Sequence, residues 1–75
     1  MTTQLVIDIC ATIKSIDPAM NAYADGGQIR GYYRGKSGEG YAYQIGKGFL
    51  FNNKGYKVAE TIKTALQQHG LEFQG

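Results

Sequence analysis

The side chains from which a nucleophile or a metal site is usually built occur once each in this chain, as Cys10 and His69. A single cysteine forms no internal disulfide, and one cysteine with one histidine makes no zinc set. Cys10 stands beside Val6 and Ile9 on the apolar side of a helical stretch, where a thiol acts as a core filler. His69 ends a second helical stretch, a place where the helix dipole favours a cation. The 6 carboxylates are dispersed, with no pair spaced for acid–base work. Gly35-Lys36-Ser37 has the composition of a phosphate loop. That loop requires a glycine where Arg30 stands and a helix directly afterwards, where a strand is expected here. Gly38-Glu39-Gly40 and Gly46-Lys47-Gly48 each lack the third glycine of a dinucleotide fingerprint. No enzyme, metal or cofactor is therefore expected.

What remains is a concentration of tyrosine and basic residues. Of the 11 glycines, all but Gly70 and Gly75 lie between Gly26 and Gly55, and most of the 6 tyrosines share that window. Residues 26–57 carry Arg30, Arg34, Lys36, Lys47, Lys54 and Lys57 against Glu39, whereas the flanks are mildly acidic. The net charge of +2 thus conceals a basic middle. A chain of 75 residues, 43% hydrophobic and 19% charged, is read as a single domain over residues 1–75 with one small core. The longest apolar stretch, Leu5 to Ile13, is broken by Asp8 and too short for a bilayer, so no membrane association and a cytoplasmic location are expected.

Three patterns must position the tyrosine-rich window. Leu5, Ile9, Ile13 and Ile16 recur at helical spacing, with Val6 and Cys10 beside them. Asp8, Thr12 and Ser15 face away, and Pro18 stops the helix by about Asp17. From Tyr56 to His69, Val58, Ala59, Ile62, Ala65 and Leu66 form a second stripe, with Gly70 set to terminate it. Between the helices the period becomes two: Ile29, Gly31 and Tyr33; Tyr41, Tyr43 and Ile45; Phe49 and Phe51. Gly46-Lys47-Gly48 reads as a tight hairpin connection and Gly35 to Gly40 as a longer loop.

Residues 19–24 support two readings. Asp17 as cap and Pro18 at the first position start a short helix, whereas Asp25-Gly26 as a hairpin turn makes 19–24 a strand. The parity of small and apolar residues favours the strand, with Ala22 opposite Ile29 and Met20 opposite Gly31. The ending Leu71 to Gly75 is either native or partly a protease-site remnant, which Phe73-Gln74-Gly75 resembles, and is given no functional weight, although Leu71 and Phe73 can fold back onto the core.

The expected fold class is α+β: two layers, in the order helix, antiparallel meander of three or four strands, helix, with both helices on one face of the sheet. The helix-facing side would carry Ile29, Tyr33, Tyr41, Tyr43, Ile45, Phe49 and Phe51. The open side would carry Asn21, Tyr23, Arg30, Tyr32, Arg34, Ala42, Gln44, Leu50 and Asn52. From this face and its flanking loops the candidate partner-binding residues are Tyr23, Arg30, Tyr32, Arg34, Lys36, Gln44, Lys47, Leu50 and Asn52. Tyrosine and arginine bring large area and directional polar groups to binding surfaces. A solvated sheet face explains the same residues without a partner.

The functional expectation is a small non-enzymatic protein that acts by protein–protein contact, as a regulator or inhibitor of a larger complex with an acidic patch. Phage-encoded accessory or counter-defence proteins are of this kind. One alternative is an RNA- or DNA-binding domain in which bases stack on Tyr23 or Tyr32 while Arg30, Arg34, Lys36 and Lys47 meet phosphates. Helix, strands, helix is also the element order of double-stranded-RNA-binding domains, and Lys54, Lys57 and Ala59 are similar to the basic start of their second helix. The rest of that pattern has no match, so no family follows. A further alternative is a self-associating subunit, since a small core gains stability as a homodimer.

Overall fold

A computed structural model describes residues 3–32, 40–52 and 55–74, the side chains of 51, 52, 55 and 56 excepted. Helix α1 runs Thr3–Ile16 and is followed by a 3-10 turn, Pro18–Met20. Strands β1 (Tyr23–Asp25), β2 (Gln28–Tyr32), β3 (Gly40–Gln44) and β4 (Gly48–Asn52) come next, and helix α2 (Gly55–Gln68) closes the order. The four strands form one antiparallel sheet in the order β1-β2-β3-β4. The α+β class and the meander are as the sequence predicts. Tyr33, Arg34, Lys36, Lys54 and the interior of the Gly35–Gly40 loop lie outside the described residues.

Helix α1 forms because Val6, Ile9, Cys10 and Ile13 fall on one side at helical spacing, and all four are buried. Leu5 is half-buried and Ile16 is exposed, so the stripe is centred on Val6 and not on the Leu5–Ile16 row. Asp17 precedes a proline and takes the extended conformation at φ −144°, which ends the helix. Its carboxylate then accepts a hydrogen bond from the Ala19 amide at 3.1 Å and caps the 3-10 turn. At the other end of the chain α2 stops at a Gly70 with φ +73°, where the Leu71 amide donates to the Leu66 carbonyl at 2.9 Å.

Val6, Ile9 and Ile13 of α1 and Ile62, Ala65 and Leu66 of α2 join Ile29, Tyr41 and Tyr43 of the sheet in one buried cluster. This is the packing expected when both helices lie over the same face. Each fully buried aliphatic side chain contributes about 1.5–3 kcal/mol to holding the two helices on the sheet. The helices are also joined directly. The Thr12 hydroxyl donates to the Asp8 carbonyl at 3.1 Å and lies 2.8 Å from His69 Nε2, which is then the donor in that contact. Thr12, expected to face away from the protein interior, thus links α1 to the end of α2.

Three features of the sheet depart from the expected alternation. The β1–β2 turn is Gly26-Gly27, with Asp25 opposite Gln28, Ala24 opposite Ile29 and Tyr23 opposite Arg30. An Asp25-Gly26 turn would place an aspartate at the first central position. Gly26 occupies that position instead, at φ +60°, which glycine adopts without steric cost. Because the slip is two residues, each side chain keeps its expected face. The two readings of 19–24 divide between segments: Pro18–Met20 is the short helix and Tyr23–Asp25 the strand. The third departure is on β4, where the register shifts between Ala42 and Tyr43. Phe49 pairs with Tyr43, Phe51 with Ala42 and Asn52 with Tyr41, leaving Leu50 as the extra residue of a bulge. Phe51 and Asn52 are therefore each displaced by one position along β3, from Tyr41 and Gly40, which an unbroken register would give them, to Ala42 and Tyr41.

Gly31 allows the segment after α1 to cross the sheet. A Cβ there would lie 2.6 Å from the Asn21 carbonyl oxygen and 2.9 Å from that of Met20. In the space left by the missing side chain, the Tyr41 hydroxyl donates to the Met20 carbonyl at 2.9 Å. At the far end of the meander Phe73 stacks on Tyr43, with centroids 5.5 Å apart, and meets Phe49 edge-on at 6.1 Å. The Gln74 amide donates to the Tyr43 hydroxyl at 2.6 Å. Residues 71–74, given no functional weight from sequence, are thus part of the packed structure.

Candidate binding face of the sheet

The side of the sheet that does not contribute to the core is organised around Arg30. Residues two apart on a strand share a face, so Gln28, Arg30 and Tyr32 of β2 stand together with their register partners. Tyr23 lies opposite Arg30 on β1, and Gln44, Ala42 and Gly40 lie opposite Gln28, Arg30 and Tyr32 on β3. The tyrosines are open to solvent, Tyr23 at 46% and Tyr32 at 58% exposure. Arg30 is more enclosed, with 32% of its side chain exposed. Ala42, expected to be exposed on this face, is fully buried. Its methyl is short and its register neighbour on β2 is the long Arg30 side chain.

Arg30 has partners on its own face. Its Nη1 donates to Gln28 Oε1 at 3.1 Å, and its Nε lies 3.6 Å from Asp25 Oδ2. The first is a hydrogen bond, whereas the second is an ion pair beyond hydrogen-bond length. Asp25 and Gln28 were not among the residues predicted from sequence. The parity of Gln28 places it on the face of Tyr23 and Arg30 in the sequence too, though not among the candidate binding residues, whereas Asp25, of the same parity, reads as part of the turn and not of the face.

Of the predicted site residues, Tyr23, Arg30 and Tyr32 form one cluster. Gln44 borders it, half-buried and opposite Gln28. Lys47 is exposed in the β3–β4 turn, its amide donating to the Gln44 carbonyl at 3.0 Å. Leu50 is 48% exposed on the outermost strand. Arg34 and Lys36 lie outside the described residues, as does the side chain of Asn52, whose backbone is in register with Tyr41.

The groups with intrinsic reactivity lie away from this face. Cys10 is buried on α1, where desolvation, opposed by the nearby Lys14, pushes its thiol up to about 11. A thiol so held is a poor nucleophile at neutral pH. Burial also raises Tyr41 above its ordinary value, with smaller contributions from Cys10, Tyr23 and Asp17, and raises Tyr43 against the lowering effect of the Gln74 amide. Among the described residues no three of His, Cys, Asp and Glu come together as a metal set. No helix among them is long and apolar enough to cross a membrane. Comparison with protein-family models, with curated proteins and with solved structures gave no match.

Proposed function

We propose that the chain is a non-enzymatic binding protein that works by protein–protein contact through the open face of its sheet, as a regulator or inhibitor of a larger complex. The observation that carries this reading is the pairing of Tyr23 with Arg30 and the placement of Tyr32 beside them, two half-exposed aromatic rings about an arginine. Tyr and Arg are the residues that most often dominate interface energetics, and exposed Leu50 adds apolar surface toward one edge of the sheet. The basic balance of residues 26–57 fits a partner with an acidic patch, which would be drawn in by charge complementarity.

The test is capture of partners from a lysate of the native host, with and without nuclease, by the wild-type chain and by Arg30→Glu and Tyr32→Ala. Loss of a protein partner in both variants, with unchanged thermal unfolding, supports the face. Retained binding in both overturns it. The same basic balance favours nucleic acid as the second reading. It predicts binding to RNA or DNA oligomers that weakens steeply as salt rises, and a flat salt response removes it.

A further inference from the structure

The contacts around Arg30 bear on how the face would select a partner. Gln28 fixes the guanidinium by a hydrogen bond at 3.1 Å, whereas Asp25 stands at 3.6 Å, close enough to attract the charge but outside hydrogen-bonding range. Asp25 is the more exposed of the pair, with 62% of its side chain open, and it ends strand β1 next to the Gly26-Gly27 turn. A carboxylate that approaches a guanidinium squarely makes two shorter, parallel hydrogen bonds, a stronger arrangement than a loose single contact.

We infer that Asp25 occupies, in the free protein, the place on Arg30 that a carboxylate of an acidic protein segment takes on binding, so that Asp25 is a built-in competitor that sets the affinity threshold of the face. This rests on the reading of the face as a docking surface and names the group that the partner must present. The incoming carboxylate gains the tighter geometry and meets repulsion from Asp25. Only a segment that offsets this repulsion, through further carboxylates near the cations of the basic middle or apolar contact with Tyr23 and Tyr32, displaces it. A lone acidic side chain does not.

The test uses a deca-glutamate peptide as probe, followed by two-dimensional NMR of the labelled full chain at physiological salt. Asp25→Asn is compared with Asp8→Asn, which removes the same charge from α1. The expected result is shifts concentrated on residues 23–32, binding roughly three- to tenfold tighter in Asp25→Asn, little change in Asp8→Asn, and loss of binding in Arg30→Gln. Equal affinity of the two Asn variants, with Arg30→Gln still inactive, overturns the competitor role while leaving the docking face standing. Absence of peptide-induced shifts at residues 23–32 in both wild type and Asp25→Asn overturns the face together with the competitor. Tighter binding of a single-stranded DNA oligomer than of the peptide, again lost in Arg30→Gln, assigns the face to phosphate and overturns the carboxylate partner.

Discussion

The two sides of the sheet use tyrosine in opposite ways. Tyr41 and Tyr43 are buried in the core, and each hydroxyl has a specific backbone partner, the Met20 carbonyl for one and the Gln74 amide for the other. Tyr23 and Tyr32 stand in the same sheet about half exposed, beside Arg30. A buried phenol must satisfy its polar end locally, because an unpaired hydroxyl in the core carries a desolvation cost of about 1–3 kcal/mol. That requirement makes the inner tyrosines structural: they fix the turn after α1 and the residues after α2. The outer pair has no such obligation and retains ring surface for contact. Residue type alone therefore does not separate scaffold from interface, whereas the destination of the hydroxyl does.

Substitutions can break this contrast, beginning with the inner face. Gly31→Ala should be the most damaging, by about 3 kcal/mol, since its Cβ meets backbone oxygens that do not yield readily. A thermal midpoint like that of wild type would show that the turn does not press on β2. Phe73→Ala removes the ring stacked on Tyr43 and should cost about 2 kcal/mol in urea unfolding. Unchanged stability would remove residues 71–74 from the structural account.

Smaller effects test the hydroxyls. Tyr41→Phe leaves the Met20 carbonyl without its phenol donor and should lose about 1–2 kcal/mol, whereas Tyr32→Phe should stay within about 0.5 kcal/mol of wild type. Similar losses in both would dissolve the distinction between the faces. Ionisation offers an independent check. Burial raises Tyr41 and Tyr43 in the folded state, so the fold favours the protonated phenols. Their contribution is complete below the unfolded value of about 10 and is lost as pH rises above it. Denaturation monitored by phenolate absorbance should show stability falling above about pH 10, with a shallower fall in Tyr41→Phe. The smallest expected change is that of Tyr23→Ala and Tyr32→Ala on stability, within about 0.5 kcal/mol, together with the loss of partner capture. Unfolding of either variant would transfer these residues to the scaffold.

The scaffold was largely readable from the sequence because its signals are periodic. Ile9 and Ile13 mark a helical stripe, Tyr41 and Tyr43 alternate, and Gly70 marks a helix end. The departures have physical causes that periodicity does not carry. The hairpin turn moved from Asp25-Gly26 to Gly26-Gly27, and a two-residue slip leaves the hydrophobic parity unaltered, so parity could not detect it. The bulge at Leu50 inserts one residue without a composition signal and changes the register of Phe51 and Asn52. Ala42 is buried at a position in register with Arg30 of another strand, and Thr12 is half-buried and in contact with a histidine far along the chain. The candidate face was legible in Tyr23, Arg30 and Tyr32, since all three keep their side under an even slip. Asp25 was missed because its proximity to Arg30 depends on the turn that sequence placed differently.

The contact of Phe73 and Gln74 with Tyr43 also bears on synthesis. The aromatic corner that closes the β3–β4 end of the core joins residues about thirty positions apart, and its last members leave the ribosome late. A nascent chain is then expected to form the β1–β2 hairpin, whose pairs are local, well before it locks the core. Arrest-peptide force measurements along a length series should show the main folding force only after Gln74 clears the exit tunnel, and full force from chains ending near Gly70 would show that the corner is dispensable to folding.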